Sequence, residues 1–409
     1  MSLFISYKVV DESPTIISGV FCIIGPHSLV IGRFLYVTMI GMQPVVNNIK
    51  GCGKMLAPIK GFERDKTPYL IAAYVTDKSL PYVTADDAAR LTHINVAFGL
   101  VKGDAIVTDH LKNLYMLDKI RSDNPSVKIV LSLGGWGAGG FSEAASTKEG
   151  RETFISTALQ TMTKHQFDGL DLDWEYPCYG EASIACSPDD KVNFTTLCQG
   201  LREAIDQQGK KDNRHYILSI AAGADQYFVD GTEMDKVEKF LDYVQLMTYD
   251  MRGGFQTLTG HHTGLYTGTG DLFRISVDAS VRIFEKAGVP KEKIVIGSAF
   301  YARKWNDVPD NNHGLYQMTS SFGGYGARYS ELAENYINQN GFIRYWDDEA
   351  KAPYLFNGRE FISYDDPESL KHKSAYIRDQ GLLGIMYWEH SGDKKRELLQ
   401  TLYEELNKK

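Results

Sequence analysis

With 409 residues, 43% of them hydrophobic and 23% charged, the chain is long enough for two or three domains or one large barrel, and its balance is that of a soluble globular protein. A formal net charge of −8, without any dense Lys/Arg cluster, excludes nucleic acid as an expected partner. Five cysteines (Cys22, Cys52, Cys178, Cys186 and Cys198) make no disulfide framework, although Cys178 and Cys186 flank one short loop and can pair in an oxidising compartment. No Cys/His spacing suits zinc, and neither a metal nor a cofactor is expected.

Residues 1–65 receive no function. Between Ser13 and Lys50 the only charge is Arg33, but Gly19, Gly25, Pro26, Gly32 and Gly41 interrupt the apolar run. A signal peptide needs a basic start and an unbroken apolar core, and a membrane span needs about 20 continuous apolar residues; neither pattern is clean. An export segment, or residues ahead of the natural start, both fit. No stable membrane insertion is expected.

From Tyr69 onward short apolar runs alternate with helical patterns, the mark of repeated βα units. The spacing predicts strands over 69–75, 93–100, 128–134, 169–175, 216–222, 243–249, 294–300 and 383–388. Helical stripes lie between them: Phe154, Ile155, Ala158, Leu159 and Met162; then Phe194, Leu197, Cys198, Leu201 and Ile205; then Val277, Val281 and Phe284, stopping at Gly288-Val289-Pro290. Eight units predict an α/β fold, a TIM (β/α)8 barrel over residues 66–409, with a doubly wound open sheet as the alternative. About eighty residues separate the last two strands, far beyond the usual two to six. Strand-like runs at 341–346 and 360–364 and a helical run at 368–379 predict a small α+β insertion, 304–382, in that connection. A final helix is expected near 394–406.

The fourth strand carries the chemistry. It reads Asp168-Gly-Leu-Asp171-Leu-Asp173-Trp-Glu175-Tyr-Pro177. Side chains alternate along a strand, so Asp171, Asp173 and Glu175 share one face at roughly 6–7 Å intervals, with Leu170, Leu172 and Trp174 on the other. Like charges stacked on a partly buried face push at least one pKa upward, a cost more readily met for catalysis than for stability. Asp168 is out of register and reads as a hydrogen-bond partner for backbone. A barrel of this kind places its site at the C-terminal strand ends. That rule gathers Ser132, Gly134, Gly135 and Trp136, Tyr249 and Asp250, and Trp388 beside the acidic row. Taken singly, the glycines read as a turn and the rings as barrel packing.

Asp168-x-x-Asp171-x-Asp173-x-Glu175 resembles the signature of glycoside hydrolase family 18, the chitinases and their relatives. Similar matches run through Ala73-Tyr74, Asn95-Val96-Ala97-Phe98, Ser132-Leu133-Gly134-Gly135-Trp136, Gln245-x-Met247-x-Tyr249-Asp250, Phe300-Tyr301-x-Arg303 and Met386-Tyr387-Trp388. Tyr345-Trp346-Asp347 and Tyr364-Asp365-Asp366 resemble the extra domain of that family's deep-grooved branch.

From the residues alone, Glu175 is the general acid, its pKa raised by Asp173, and Asp173 is nucleophile or base. The resemblance implies a different course, in which the substrate's own 2-acetamido oxygen attacks and configuration is retained. It implies that Asp173 holds the acetamide N–H, that Asp171 shares a proton with Asp173 aided by Ser132 and Tyr74, and that Tyr249 donates to the acetamide oxygen. It further implies that Asp250 holds the distorted sugar over a Trp388 floor, with Trp136, Phe98, Met247, Tyr301 and Arg303 lining neighbouring positions. The expected activity is chitinase action on β-1,4-linked N-acetylglucosamine chains. The alternatives are an endo-β-N-acetylglucosaminidase on N-glycans, a chitin-binding lectin and a carboxylate-based metal hydrolase. A monomer acting outside the cell or in the periplasm is expected, because that is where such a polymer is met.

Overall fold

Eight parallel strands close into a ring in the computed structural model, which describes residues 69–253 and 256–408. The segment 1–65, with Cys22 and Cys52, lies outside the described residues. Strand β1 (Leu70–Thr76) pairs with β2 (His93–Lys102), whose end folds back on the short antiparallel β3 (Ala105–Val107). Around the ring follow β4 (Lys128–Gly134), β5 (Gly169–Asp173), β6 (Ile217–Gly223), β7 (Tyr243–Met247) and β8 (Ile294–Ala299). A separate antiparallel sheet comprises β9 (Tyr301–Trp305), β10 (Gly324–Arg328), β11 (Ile343–Asp347), β12 (Ala352–Phe356) and β13 (Phe361–Ser363), in the order β10-β9-β13-β12-β11. The last strand, β14 (Gly384–Trp388), pairs with β8 on one side and β1 on the other, which completes the barrel.

Alternation along each strand sorts two cores. Outward residues such as Ile94, Val96, Leu170, Leu172 and Leu218 pack under the helices, where Trp174 stacks on Phe141 at 5.4 Å and meets Phe194 edge-on at 5.9 Å. Inward residues include Leu70, Ala72, Tyr74, Val130, Val295 and Met386, together with the fully buried polar side chains Asn95, Ser132, Asp171, Ser219 and Gln245. A polar layer in a barrel interior demands full hydrogen bonding, so it marks where chemistry displaces packing. Gly384 lets β14 close on β1: a Cβ there would lie 2.0 Å from the Leu70 carbonyl oxygen.

The second sheet begins one residue after β8, with only Phe300 between, and runs from 301 to 363. The helix Pro367–Gln380 starts at an Asp366 capping box, ends at Gly381 with φ of 70°, packs on the final helix Glu397–Leu406 and leads into β14. That is the place of a barrel helix rather than of the added sheet. The boundaries 304–382, drawn from sequence, therefore start late and take in one barrel helix. The strand-like runs at 341–346 and 360–364 leave out β12, the middle strand of the local meander β11-β12-β13, and β9 and β10, which pair with each other across the segment between 305 and 324.

Candidate active site

Strand β5 ends at Asp173, and its inward face carries Asp171, Asp173 and, two residues on, Glu175. Asp171 is the deepest and is wholly buried. It accepts four hydrogen bonds: from Tyr74 Oη at 2.8 Å and Ser132 Oγ at 2.7 Å on Oδ2, and from Ser219 Oγ at 2.8 Å and Gln245 Nε2 at 2.9 Å on Oδ1. Register explains the convergence, because Ser132 and Ser219 stand directly opposite Asp171 on the two flanking strands. Gln245 is fixed in turn, its Oε1 accepting from Asn95 Nδ2 at 2.9 Å and its Nε2 reaching Tyr74 Oη at 3.0 Å.

Burial raises all three carboxyls, by different amounts for legible reasons. At Asp171 the four donors oppose burial and limit the rise. Asp173 has no such help: its Oδ1 is buried without a partner, and burial, Glu175 and Asp171 together push it well above the carboxylate range. Glu175, 8% exposed, is raised to about 7, chiefly by burial, with the Asp250 charge adding to it and Tyr176 opposing. The like charge expected from spacing is present, but burial comes before it: burial is the largest cause at both carboxyls, and the repulsion between Asp173 and Glu175 belongs to the pair. Burial, then Asp173 and Glu175, also keep the Tyr249 phenol protonated, and its Oη lies 3.8 Å from Met386 Sδ.

Asp250, in the segment just after β7, is held by a fork: Arg303 Nε donates to Oδ1 at 2.6 Å and an Arg303 terminal nitrogen lies 2.6 Å from Oδ2. Burial alone would raise Asp250, but His262 and Arg303 win and hold its carboxyl well below the usual range. His262 Nδ1 sits 3.6 Å from Oδ1 and packs on Tyr301 at 5.4 Å. Trp388 stacks on Phe98 with ring centres 5.5 Å apart and tilts against Tyr74 at 5.8 Å. Met247 lies in the same inner cluster. Trp136 stands apart on the rim, half exposed and edge-on to Tyr176, beside a groove of ≈ 400 Å³ lined by Phe98, Gly135 and Gly139.

The structure thus brings Glu175, Asp173, Asp171, Tyr249, Tyr74, Asp250, Tyr301, Arg303, Met247, Phe98 and Trp388 to one end of the barrel, with Trp136 at its edge. Asp168 sits at the opposite end of the strand, accepting from the Ile129 backbone N–H at 2.8 Å and paired with Arg214. Ser219 and His262 are absent from the sequence-predicted set. Ser219 shares a register row with Asp171, a signal visible only once strand pairing is known. His262 comes from a loop with no motif. Cys178, Cys186 and Cys198 are free thiols. Among the described residues no group of three or more His, Cys, Asp or Glu is arranged to hold a metal ion, and no helix is long and apolar enough to cross a membrane.

Chemically, the arrangement offers a carboxylic acid poised to give a proton near pH 7, an unsatisfied buried acceptor beside it, a phenol donor and an aromatic floor. The sequence model of the Glycosyl hydrolases family 18 matches residues 69–393. A solved family 18 N-acetylglucosaminidase from Paenibacillus barengoltzii is 61% identical, with a TM-score of 0.82, over 82% of this chain and 99% of that one. Chitinase A1 of Niallia circulans is 39% identical over 72% of this chain, which spans only 44% of that protein's length. Chitotriosidase-1 of Mus musculus is 31% identical over 78% of this chain and 73% of its own.

Proposed function

Because the chain belongs to the glycosyl hydrolases of family 18, we propose that it hydrolyses β-1,4-linked N-acetylglucosamine chains, with retention, by a route in which the substrate assists. The single observation that carries this reading is the pair formed by Glu175, raised to about 7, and Asp173, whose buried Oδ1 lacks a partner. Glu175 gives its proton to the glycosidic oxygen as the bond to the anomeric carbon breaks. The 2-acetamido oxygen of the same sugar closes on that carbon. Asp173 takes the acetamide N–H and balances the positive ring that results, Asp171 sharing a proton with it over the Ser132, Ser219, Tyr74 and Gln245 donors. Tyr249 donates to the acetamide oxygen. Asp250 and Arg303 steady the sugar over Trp388. Water then opens the ring, returning a proton to Glu175, and two inversions give net retention.

The names of its relatives support this reading in kind, since chitinases recur among them. The 61% identical structure favours a second reading, release of single N-acetylglucosamine units. A time course of products from N-acetylglucosamine oligomers of increasing length tests both. Oligomeric products place cleavage inside the chain, monomer alone places it at an end, and the first anomer formed is β in either case. Glucan of the same linkage, lacking the acetamide, should stay intact; its efficient hydrolysis, or an α product, removes the mechanism.

A further inference from the structure

Around the ring β4 and β8 lie four strands apart in either direction, as do β5 and β14. Trp136, beyond β4, and Arg303, beyond β8, therefore follow strands on opposite sides of the ring, as do Glu175, beyond β5, and Trp388, at the end of β14. The Trp136 side ends in an exposed ring. The Arg303 side does too, and neither the catalytic chemistry nor the hydrophobic core uses it. Tyr325, on the edge strand β10, stands in register with Arg303 and lays its ring 3.9 Å from that guanidinium carbon. It is 75% exposed. Its neighbours are Gly324 and Gly326, so no adjacent side chain on its own strand shades the ring.

One face of this ring is covered by the guanidinium that grips Asp250, and the ring is otherwise open. An exposed aromatic plane, continuous through an ion pair with the reacting centre, suits the apolar C–H face of a pyranose. We propose that Tyr325 is a sugar platform: it stacks on an N-acetylglucosamine unit of the bound chain remote from the scissile bond, on the side of the mouth opposite Trp136. This rests on the function proposed above and deepens it. Preference for longer chains then resides partly in β10, a strand of the added sheet, and Arg303 both orients Asp250 and stiffens the platform beneath the distant sugar.

The test compares the parent protein with Tyr325→Ala, Tyr325→Phe and Tyr325→Trp on the N-acetylglucosamine trimer and hexamer, with kcat and KM read separately. Tyr325→Ala should lower the hexamer-to-trimer ratio of kcat/KM on the order of three- to tenfold, the size of one aromatic contact, through KM. Phe and Trp should hold the ratio. An unchanged ratio in Tyr325→Ala overturns the platform. So do equal losses on both substrates carried by kcat, the result expected if the ring only shields the Arg303–Asp250 pair. If the parent protein cuts neither oligomer, the hydrolase reading fails by itself. Calorimetric binding of the hexamer then decides the platform, with weaker binding to Tyr325→Ala supporting it and equal binding ending it.

Discussion

At the scale of single residues, Glu175 owes its behaviour to burial. A carboxyl in water loses its proton near pH 4.5, whereas here burial and the Asp250 charge lift it to about 7. A general acid works protonated, so kcat/KM should fall as pH rises through about 7. Asp250→Asn removes a charge that raises Glu175 and leaves the Arg303 cation unpaired nearby. Both changes favour the carboxylate, so the alkaline limb of a pH–rate profile should move to lower pH. A limb that stays in place or moves upward contradicts the assignment. Glu175→Gln keeps size and hydrogen-bonding reach but cannot release a proton. Its turnover should drop by roughly 10²–10⁴-fold while oligosaccharide affinity, measured by fluorescence or calorimetry, is kept. Near-normal turnover would mean that another group is the acid.

At the scale of elements, β5 shows how one alternation serves two ends. Its outward face anchors the helices through Leu170, Leu172 and Trp174, and its inward face places the acids. The strand can do this only if its neighbours come close. Gly169 lies so near β6 that a Cβ would sit 2.2 Å from the Ile217 carbonyl oxygen. Gly169→Ala must push the two strands apart, and a loss of about 1–3 kcal/mol in urea denaturation is expected. Gly324, which has no atom near its would-be Cβ, is the control, and Gly324→Ala should stay within about 0.5 kcal/mol. Equal effects at the two sites would show that close strand approach is not what Gly169 provides.

At the scale of the whole molecule, the added sheet must hold Arg303 and Tyr325 steady against the barrel. A buried clasp does this. Lys373, on the helix Pro367–Gln380, bonds Asp365 Oδ2 at 2.6 Å and Thr263 Oγ1 at 2.6 Å, and the same Asp365 oxygen accepts from the Ala299 backbone at the end of β8 at 3.1 Å. Both partners are shielded from water. Lys373→Met leaves the Asp365 charge buried and uncompensated, so a loss of about 3–5 kcal/mol is expected in chemical denaturation. The exposed pair Lys148–Glu152 should cost no more than about 1 kcal/mol when broken. If the two changes cost the same, the clasp does not hold these parts together.

Much of this protein was legible as a string of letters. Local periodicity fixes which residues are strand and helix, and strict alternation puts Asp171, Asp173 and Glu175 on one face, because both depend only on neighbours in the chain. The family signature and the eight βα units followed from the same short-range patterns. What needed three dimensions was everything set by partners far apart in sequence. Ser219 meets Asp171 across 48 residues, His262 serves Asp250 from a loop without a motif, and β9 and β10 pair across an intervening turn-rich segment. The source of the Glu175 shift belongs to that class too. Spacing showed a like charge two residues away, but only the closed barrel says how much water is left around the acid, and desolvation is a property of the enclosure rather than of the strand.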